Sequence, residues 1–343
     1  MATDQTVVTG VHVLEREQPK QLKTLNADIA IDTSGRSSKL VQWLQHIGCD
    51  VPEPDILKVS LGYSSRHYKI PSHLAEKWDV IRIAGDFINR TLTGVFSTIE
   101  NNIAETILYC PRGKYPTRNI EEYEQEFAKL VDPCIAEVLQ ELDPITAPRS
   151  YRVTELYRHH FEEIERWPSG LLVLGDAYCI FDPIFGQGIT IAAIEAEMLD
   201  SCLREQQSHP LPYFERDVLQ KMKEIIEPAW WLNCAADLSW QGVEYVGKPL
   251  QGIEFAQKYF ALYIKHATTK QNLEQYGLYW AVNSLLLPLD HIFNSQIISE
   301  ILASEKASSE SKELLSELSK ASGQTLDEQL SQIIPTFPST AYD

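Results

Sequence analysis

The chain has 343 residues, 44% hydrophobic and 23% charged, enough to bury the core of one large domain or two smaller ones. Lys plus Arg number 30 against 48 Asp plus Glu, a formal charge of −18. That balance argues against non-specific nucleic-acid binding and against a polybasic membrane anchor, which both need a basic footprint. The opening MATDQTVVTGVHVLEREQ has no apolar stretch of the signal-peptide kind, and runs such as LLVLG and SLLLP are far too short for a transmembrane segment. Cys49, Cys110, Cys134, Cys179, Cys202 and Cys234 form no C-x-x-C pair, so neither a disulfide framework nor a metal site is expected, and the setting is expected to be reducing and cytoplasmic.

Residues 6–14 (TVVTGVHVL) and 27–32 (ADIAID) read as short strands joined by a polar, hairpin-like segment. A turn of small residues follows, then a helix with a polar start at Ser37 or Ser38. Residues 56–70, 79–88 and 92–109 read as further strands from their alternation and their β-branched and aromatic content. Their connections are too short for parallel crossovers, which predicts an antiparallel sheet. Helical patterns come at 119–131 and 134–142, with Thr117 or Asn119 as N-cap and Glu121 or Glu122 in the first turn. Residues 151–161 (YRVTELYRHHF) return to strand.

The apolar run Leu171 to Leu174 suits a buried parallel strand covered on both faces, internal to its sheet. A long helix follows, and apolar residues keep helical spacing from 213 to 287. The last stretch, from Ser304, is polar and Ser-rich, with room for one or two marginal helices in a tail. Strands, helices, strands and then helices make a mixed α/β (α+β) fold, with a helical C-terminal region.

The stretch LLVLGDAYCIFDPIFGQGITIAAIEAEML (171–199) carries the densest chemistry. Gly175 lets the backbone turn and a ligand approach. Asp176 sits at the C-terminal end of the strand, where open α/β sheets bind ligands, and a carboxylate there can accept hydrogen bonds from sugar-like hydroxyls. Pro183 stiffens the loop, and Gly186, Gln187 and Gly188 leave N–H groups free at a helix start. A plain strand–helix connection would explain any one of these residues, but not the whole string. The earlier stretch NADIAIDTSGRSSKLVQWL (26–44) repeats the strand–turn–helix pattern more weakly.

The first string resembles the signature of the FAD-dependent aromatic-ring hydroxylase-like family, the group A flavin monooxygenases with their reductase, epoxidase and halogenase cousins. The resemblance implies that Asp176 hydrogen-bonds the FAD ribitol, that Pro183 lies near the reactive face of the ring, and that Gly186 to Ile189 place helix N–H groups at the pyrimidine edge. Negative charge on the reduced flavin would be stabilised there. Cys179 stands where many members have His. The second string resembles the family's second conserved turn, with Gly35, Arg36 and Ser38 matching and Ser34 in place of a common Asp. By resemblance the chain is the C-terminal part of a FAD/NAD(P)-binding fold with an antiparallel substrate sheet. Its implied layout is a partial FAD-binding segment (1–48), substrate-domain sheet with helices (49–160), FAD-binding segment (161–205), helical region (206–300) and polar tail (301–343). The implied activity is a monooxygenase, using FAD and NAD(P)H on a small hydrophobic substrate.

No G-x-G-x-x-G occurs, and Gly186-Gln187-Gly188 is the sole G-x-G. The resemblance therefore implies that the N-terminal Rossmann βαβ unit, which receives the FAD pyrophosphate, is missing. A gene fragment, a split gene whose partner polypeptide supplies that half, or a misplaced start codon would each explain this, and tight FAD binding by the chain alone is not expected. Two other readings stand beside the monooxygenase: a non-catalytic remnant or subunit module, and an isoprenoid double-bond reductase. Arg66, His67 and Tyr68 lie on a strand that could face the substrate, or simply solvent. His159 and His160, adjacent on a strand, should point to opposite faces and not form a metal pair. The Trp-rich AWWLNCAADLSW (229–240) reads as core or cavity wall.

Overall fold

The structure, a computed structural model, describes residues 6–15, 18–85, 91–110, 115–306, 308–319 and 325–337. In chain order the elements are β1 (Gly10–Glu15), β2 (Gln18–Asn26), β3 (Ala30–Asp32), α1 (Leu40–His46), β4 (Asp55–Lys58), β5 (Leu61–Lys69), β6 (Val80–Ile83), β7 (Thr93–Ile99) and β8 (Ile103–Cys110). Next come α2 (Ile120–Ala128), α3 (Cys134–Leu139), β9 (Asp143–Pro144), β10 (Arg149–Val153), β11 (Leu156–Arg158), β12 (Leu171–Val173), α4 (Gln187–Ser208) and α5 (Phe214–Asp237). The chain ends with β13 (Glu244–Val246), α6 (Ile253–Thr269), α7 (Leu273–Asn283), α8 (Ser295–Ser304), α9 (Ser309–Leu318) and α10 (Leu326–Ile333). Two compact units result, one of residues 1–55, 157–235 and 247–343, the other of residues 56–156 and 236–246. No helix among the described residues is long and apolar enough to cross a membrane.

The second unit is built on an antiparallel sheet of order β10-β5-β8-β7-β6, with β9 also on β5. Its strands break where the backbone demands it. The expected strand 56–70 is interrupted at Ser60, φ 44°, and the expected strand 92–109 folds back at Asn101 and Asn102, φ 62° and 55°. Asparagine tolerates this left-handed region better than most residues, and the two halves pair as β7 and β8. Helices α2 and α3 cover one face, setting Tyr123, Phe127, Ile135 and Leu139 on Tyr68, Phe96, Ala104 and Leu108. Full burial of such side chains contributes about 1.5–3 kcal/mol each. Gly94 lets α2 and the segment after it pack closely: a Cβ there would lie 2.4 Å from Leu130 Cδ1, which would have to move aside. Asn119 caps α2, accepting the Glu121 N–H at 2.8 Å.

Arg66 and Tyr68 point to the helix-covered face. Arg66 pairs with Glu124 at 2.9 Å and Tyr68 donates to the same carboxylate at 3.1 Å. These two residues are thus structural, tying α2 to the sheet, while His67 meets Glu105 at 3.4 Å.

In the first unit β3 and β12 run parallel, with Leu171 opposite Ala30 and Val173 opposite Asp32. All three residues of β12 are buried. As described, the pair is a two-stranded sheet, so β12 is not the internal strand its apolar run suggests. It gains cover from elsewhere: Ser169 just before it exchanges hydrogen bonds with Thr6 and Val8, and the Trp167 indole donates to the Leu171 carbonyl at 2.8 Å. The segment expected only to connect two strands is itself β2, paired with β1 from Gly10↔Asn26 to Glu15↔Gln18. Cross-strand apolar pairs Leu14↔Leu22 and Val11↔Leu25 hold that hairpin.

The polar C-terminal stretch holds two helices among its described residues. Helices α9 and α10 bury Leu314, Leu318 and Leu330, and Thr325 with Glu328 forms a capping box. The serines and acidic residues that dominate the composition occupy mainly the solvated faces.

Candidate flavin-binding site

The parallel register puts the ends of β3 and β12 level, so their two turns emerge side by side. The Leu174 N–H donates to the Asp32 carbonyl at 3.1 Å, joining them at the exit. A Cβ built on Gly35 would lie 3.8 Å from the Cβ of Asp176.

Asp32 organises the first turn. Its Oδ1 accepts from the Ser34 N–H at 2.9 Å and the Ser34 hydroxyl at 2.6 Å, and its Oδ2 accepts from the Ser38 hydroxyl at 2.5 Å. Ser38 Oγ in turn accepts the Leu40 N–H at 3.0 Å. The Ser38 hydroxyl is therefore committed to the turn, as donor and as acceptor. Gly35 adopts φ 71°, a left-handed conformation that favours glycine. The Tyr157 hydroxyl donates to the Arg36 carbonyl at 2.9 Å.

In the second turn Gly175 has φ 62°, and its carbonyl accepts from the N–H groups of Tyr178 and Cys179 at 2.8 and 3.1 Å. Its own N–H donates to Glu195 Oε2 of α4 at 2.7 Å. Asp176 projects from this turn to the exposed surface. Partial burial raises its carboxyl pKa, and the Arg36 guanidinium offsets only part of that rise. Cys179 is buried, and burial holds its thiol well above the usual range, so the thiol is inert packing in this loop.

The start of α4 lies beside Asp176: a Cβ on Gly188 would sit 3.8 Å from Asp176 Oδ1. Gly186, φ 69°, occupies the N-cap position, and no side chain caps this 22-residue helix. A Cβ on Gly186 would meet nothing within 4 Å. Pro183 and Gly186 are exposed, and Ile189 is 86% exposed. The surface thus offers free N–H groups at the positive end of a helix dipole, an open glycine cradle and a carboxylate acceptor. This donor set fits a ligand with an electron-rich ring edge and a hydroxylated chain, as a flavin has.

The Gln187 side chain serves another purpose. It is buried, its Nε2 donates to the Asn283 carbonyl at 2.6 Å, and its Oε1 accepts from Asn233 Nδ2. Asn233 Oδ1 accepts the Asp182 N–H at 2.7 Å, and Asp182 Oδ1 caps the Pro183–Phe185 turn through the Ile184 N–H at 2.9 Å. Asn233 therefore clamps the whole Pro-Gly loop. Neither Asn233, Glu195 nor Asp32 stands out by residue type, and their partners lie 46, 20 and 6 residues away. A polar residue at a core position of the Trp-rich helix was the one available signal for Asn233.

Behind the second turn lies a buried ion cluster. Arg158, 2% exposed, pairs with Glu162 at 2.7 Å, and Tyr178 donates to the other Glu162 oxygen at 2.6 Å. Burial would raise Glu162, but His160, Arg158 and Tyr178 prevail and hold its carboxyl at about 2. His160 meets Asp55 at 3.2 Å. His159 points instead into an aromatic stack with Tyr157 and Phe161, where burial first, then His160 and Arg158, lower its pKa to about 4. His160, Glu162 and Glu163 have ligand atoms within 4.8 Å of one another, but the Arg158 and Lys248 cations already pair with them.

No family model matches the chain. It is 25% identical over 214 residues to Protein Rv3254 of Mycobacterium tuberculosis, a match covering 62% of this chain and 44% of that protein. The chain thus spans under half the length of that relative. Among solved structures it resembles the flavin-dependent brominase Bmp2, with a TM-score of 0.56 at 12% identity over 88% of this chain and 68% of that one. It also resembles a flavoprotein/dehydrogenase from Cytophaga hutchinsonii, with a TM-score of 0.57 at 13% identity over 89% and 68%. The fold, mixed α/β with an antiparallel sheet and C-terminal helices, is thus similar to that of these two proteins.

Proposed function

We propose that this chain is the ring- and ribityl-binding portion of an FAD-dependent monooxygenase of hydroxylase or epoxidase type, with a hydrophobic organic substrate and NAD(P)H as reductant. The observation that carries the reading is the meeting of Gly35, Asp176 and the uncapped start of α4 on one exposed surface. In this reading Asp176 accepts a hydrogen bond from the ribityl chain. The Gly186 N–H is taken up by the Pro183 carbonyl at 3.2 Å, so the N–H groups of Gln187, Gly188 and Ile189 face the electron-rich edge of the ring, with Gly186 opening the cradle and Pro183 bordering the reactive face. Gly35 and Arg36 border the site from the neighbouring turn, and Arg36 also tempers the charge of Asp176. Gly175 shapes the turn, while Ser38 and Gln187 brace the two loops from behind. The flavin, when bound, supplies the redox and oxygen chemistry, so no side chain need act as a general base.

The sequence has no G-x-G-x-x-G turn to receive a pyrophosphate, so in this reading its own contacts are confined to the ring and ribityl chain, and those to the pyrophosphate and adenosine are left to other polypeptide. Titrating the purified chain with riboflavin, FMN and FAD tests the proposal. If only ring and ribityl contacts exist, the three affinities fall within about fivefold of one another, roughly 1 kcal/mol, and gel filtration strips the yellow colour. FAD bound stoichiometrically and far more tightly than riboflavin would overturn the division of labour. Failure of all three flavins to bind would overturn the site.

A further inference from the structure

Glu195 is the buried group that the proposed flavin contacts leave unused. It lies on α4, 1% exposed, one oxygen accepting the Gly175 N–H at 2.7 Å while the other oxygen, Oε1, is buried with no hydrogen-bond partner. A carboxylate with one such oxygen is costly to bury, whereas a proton on Oε1 removes the charge and leaves the Gly175 bond intact. We propose that Glu195 is a positioning residue that holds the Gly175–Asp176 turn in its neutral form, and that its ionisation weakens the grip of this turn on a hydroxylated, electron-rich ligand. The inference rests on the flavin reading for the ligand's identity, but not for the carboxyl's behaviour.

The surroundings support this. Among the described residues, Asp176 and Cys179 of the adjoining turn interact with Glu195, Arg36 interacts with Asp176, and Arg158 and Asp55 interact with Cys179. On its own helix the buried neighbours Ile191 and Leu199 are apolar. Burial, opposed by the Gly175 N–H and reinforced by Asp176, raises the Glu195 carboxyl to about 7. The proton therefore leaves near neutrality, and the Asp176 carboxyl is the acidic group that acts on it. A second negative charge then appears directly behind Asp176. It repels both that carboxylate and the electron-rich ring edge, with little solvent to screen it.

The test follows the carboxyl itself and the ligand separately. In full-length chain carrying ¹³C-labelled glutamate, the Glu195 carboxyl signal should titrate near neutrality, and the protection of the Gly175 amide, corrected for intrinsic base-catalysed exchange, should change with the same midpoint. Riboflavin affinity should fall about fivefold from pH 6 to pH 8, and in Glu195→Gln it should stay level over the same range. A carboxyl midpoint in the ordinary glutamate range, or an unchanged pH profile in Glu195→Gln, overturns the proposal. The wild-type titration, assigned through the Glu195 backbone, decides the matter should the variant fail to fold. If no flavin binds at any pH, the flavin reading fails, and carboxyl titration with Gly175 exchange still judges Glu195.

Discussion

Gly35 and Asp176, 141 positions apart in sequence, stand within van der Waals reach of each other at the level ends of two parallel strands, the Cβ position of one 3.8 Å from that of the other. That closeness is set by register: Val173 pairs with Asp32, so each chain leaves its strand at the same height. The consequences can be measured residue by residue.

Asp176→Ala should weaken flavin binding by one to two decades, since a hydrogen bond to a charged group contributes about 1.5–3 kcal/mol. Cys179→Ala should change it little, because that thiol is buried and held neutral. Fluorescence titration of both variants with riboflavin checks the contrast. Equal affinities for wild type and Asp176→Ala would remove the carboxylate from the site.

Gly35→Ala and Gly188→Ala should part company. Gly35 has φ 71°, and an alanine there should destabilise the fold by about 1–2 kcal/mol. Gly188 lies within α4, where alanine should stabilise by up to about 1 kcal/mol, yet its methyl would sit 3.8 Å from Asp176 Oδ1 and crowd the ligand. Urea unfolding and flavin titration should therefore move in opposite senses for Gly188→Ala, and in the same sense for Gly35→Ala.

Asn233→Leu should be strongly destabilising. It orphans the buried Asp182 N–H and the Gln187 Oε1 together, at about 1–3 kcal/mol each. A loss of less than about 1 kcal/mol in urea unfolding would show that water replaces the clamp.

Acid should expose the ion cluster. The Glu162 carboxyl lies at about 2 in the folded chain, below its usual 4.5, so its stabilising contribution is complete above the unfolded value and is lost as pH falls from 4.5 through 2. Glu162→Gln should be less stable at neutral pH and lose less stability over that acid window. Thermal melts from pH 7 to pH 2.5 decide it; parallel curves for the two proteins would refute the assignment.

Much of this architecture was legible in the sequence, where local chemistry fixes local shape. The Leu171 to Leu174 run, the glycines at 175 and 186 and the Asn119 cap all declare themselves within a few residues. What was hidden depends on distant partners or on single dihedral angles. Nothing near Ser60 marks a left-handed residue that splits one apparent strand in two. The hairpin strand β2 looked like a linker because its apolar residues, Leu22 and Leu25, stay exposed on the described surface. Arg66 and Tyr68 looked available for a substrate until Glu124, 56 to 58 positions away, proved to hold both. Glu195 was one more acidic residue on a long helix, and only its burial sets it apart.

The amide chain beneath the Pro-Gly loop has a direction. A backbone N–H at Asp182 begins it and a backbone carbonyl at Asn283 ends it, with Asn233 and Gln187 each accepting from one side and donating to the other. Because both ends are main chain, neither amide can rotate end over end without setting oxygen against oxygen or nitrogen against nitrogen. The loop, α5 and the end of α7 are consequently locked to one another like a key with a single orientation. A carboxylate at either middle position, which can accept but not donate, would break the sequence at one link, and so Asn233→Asp and Gln187→Glu should each loosen the loop they clamp.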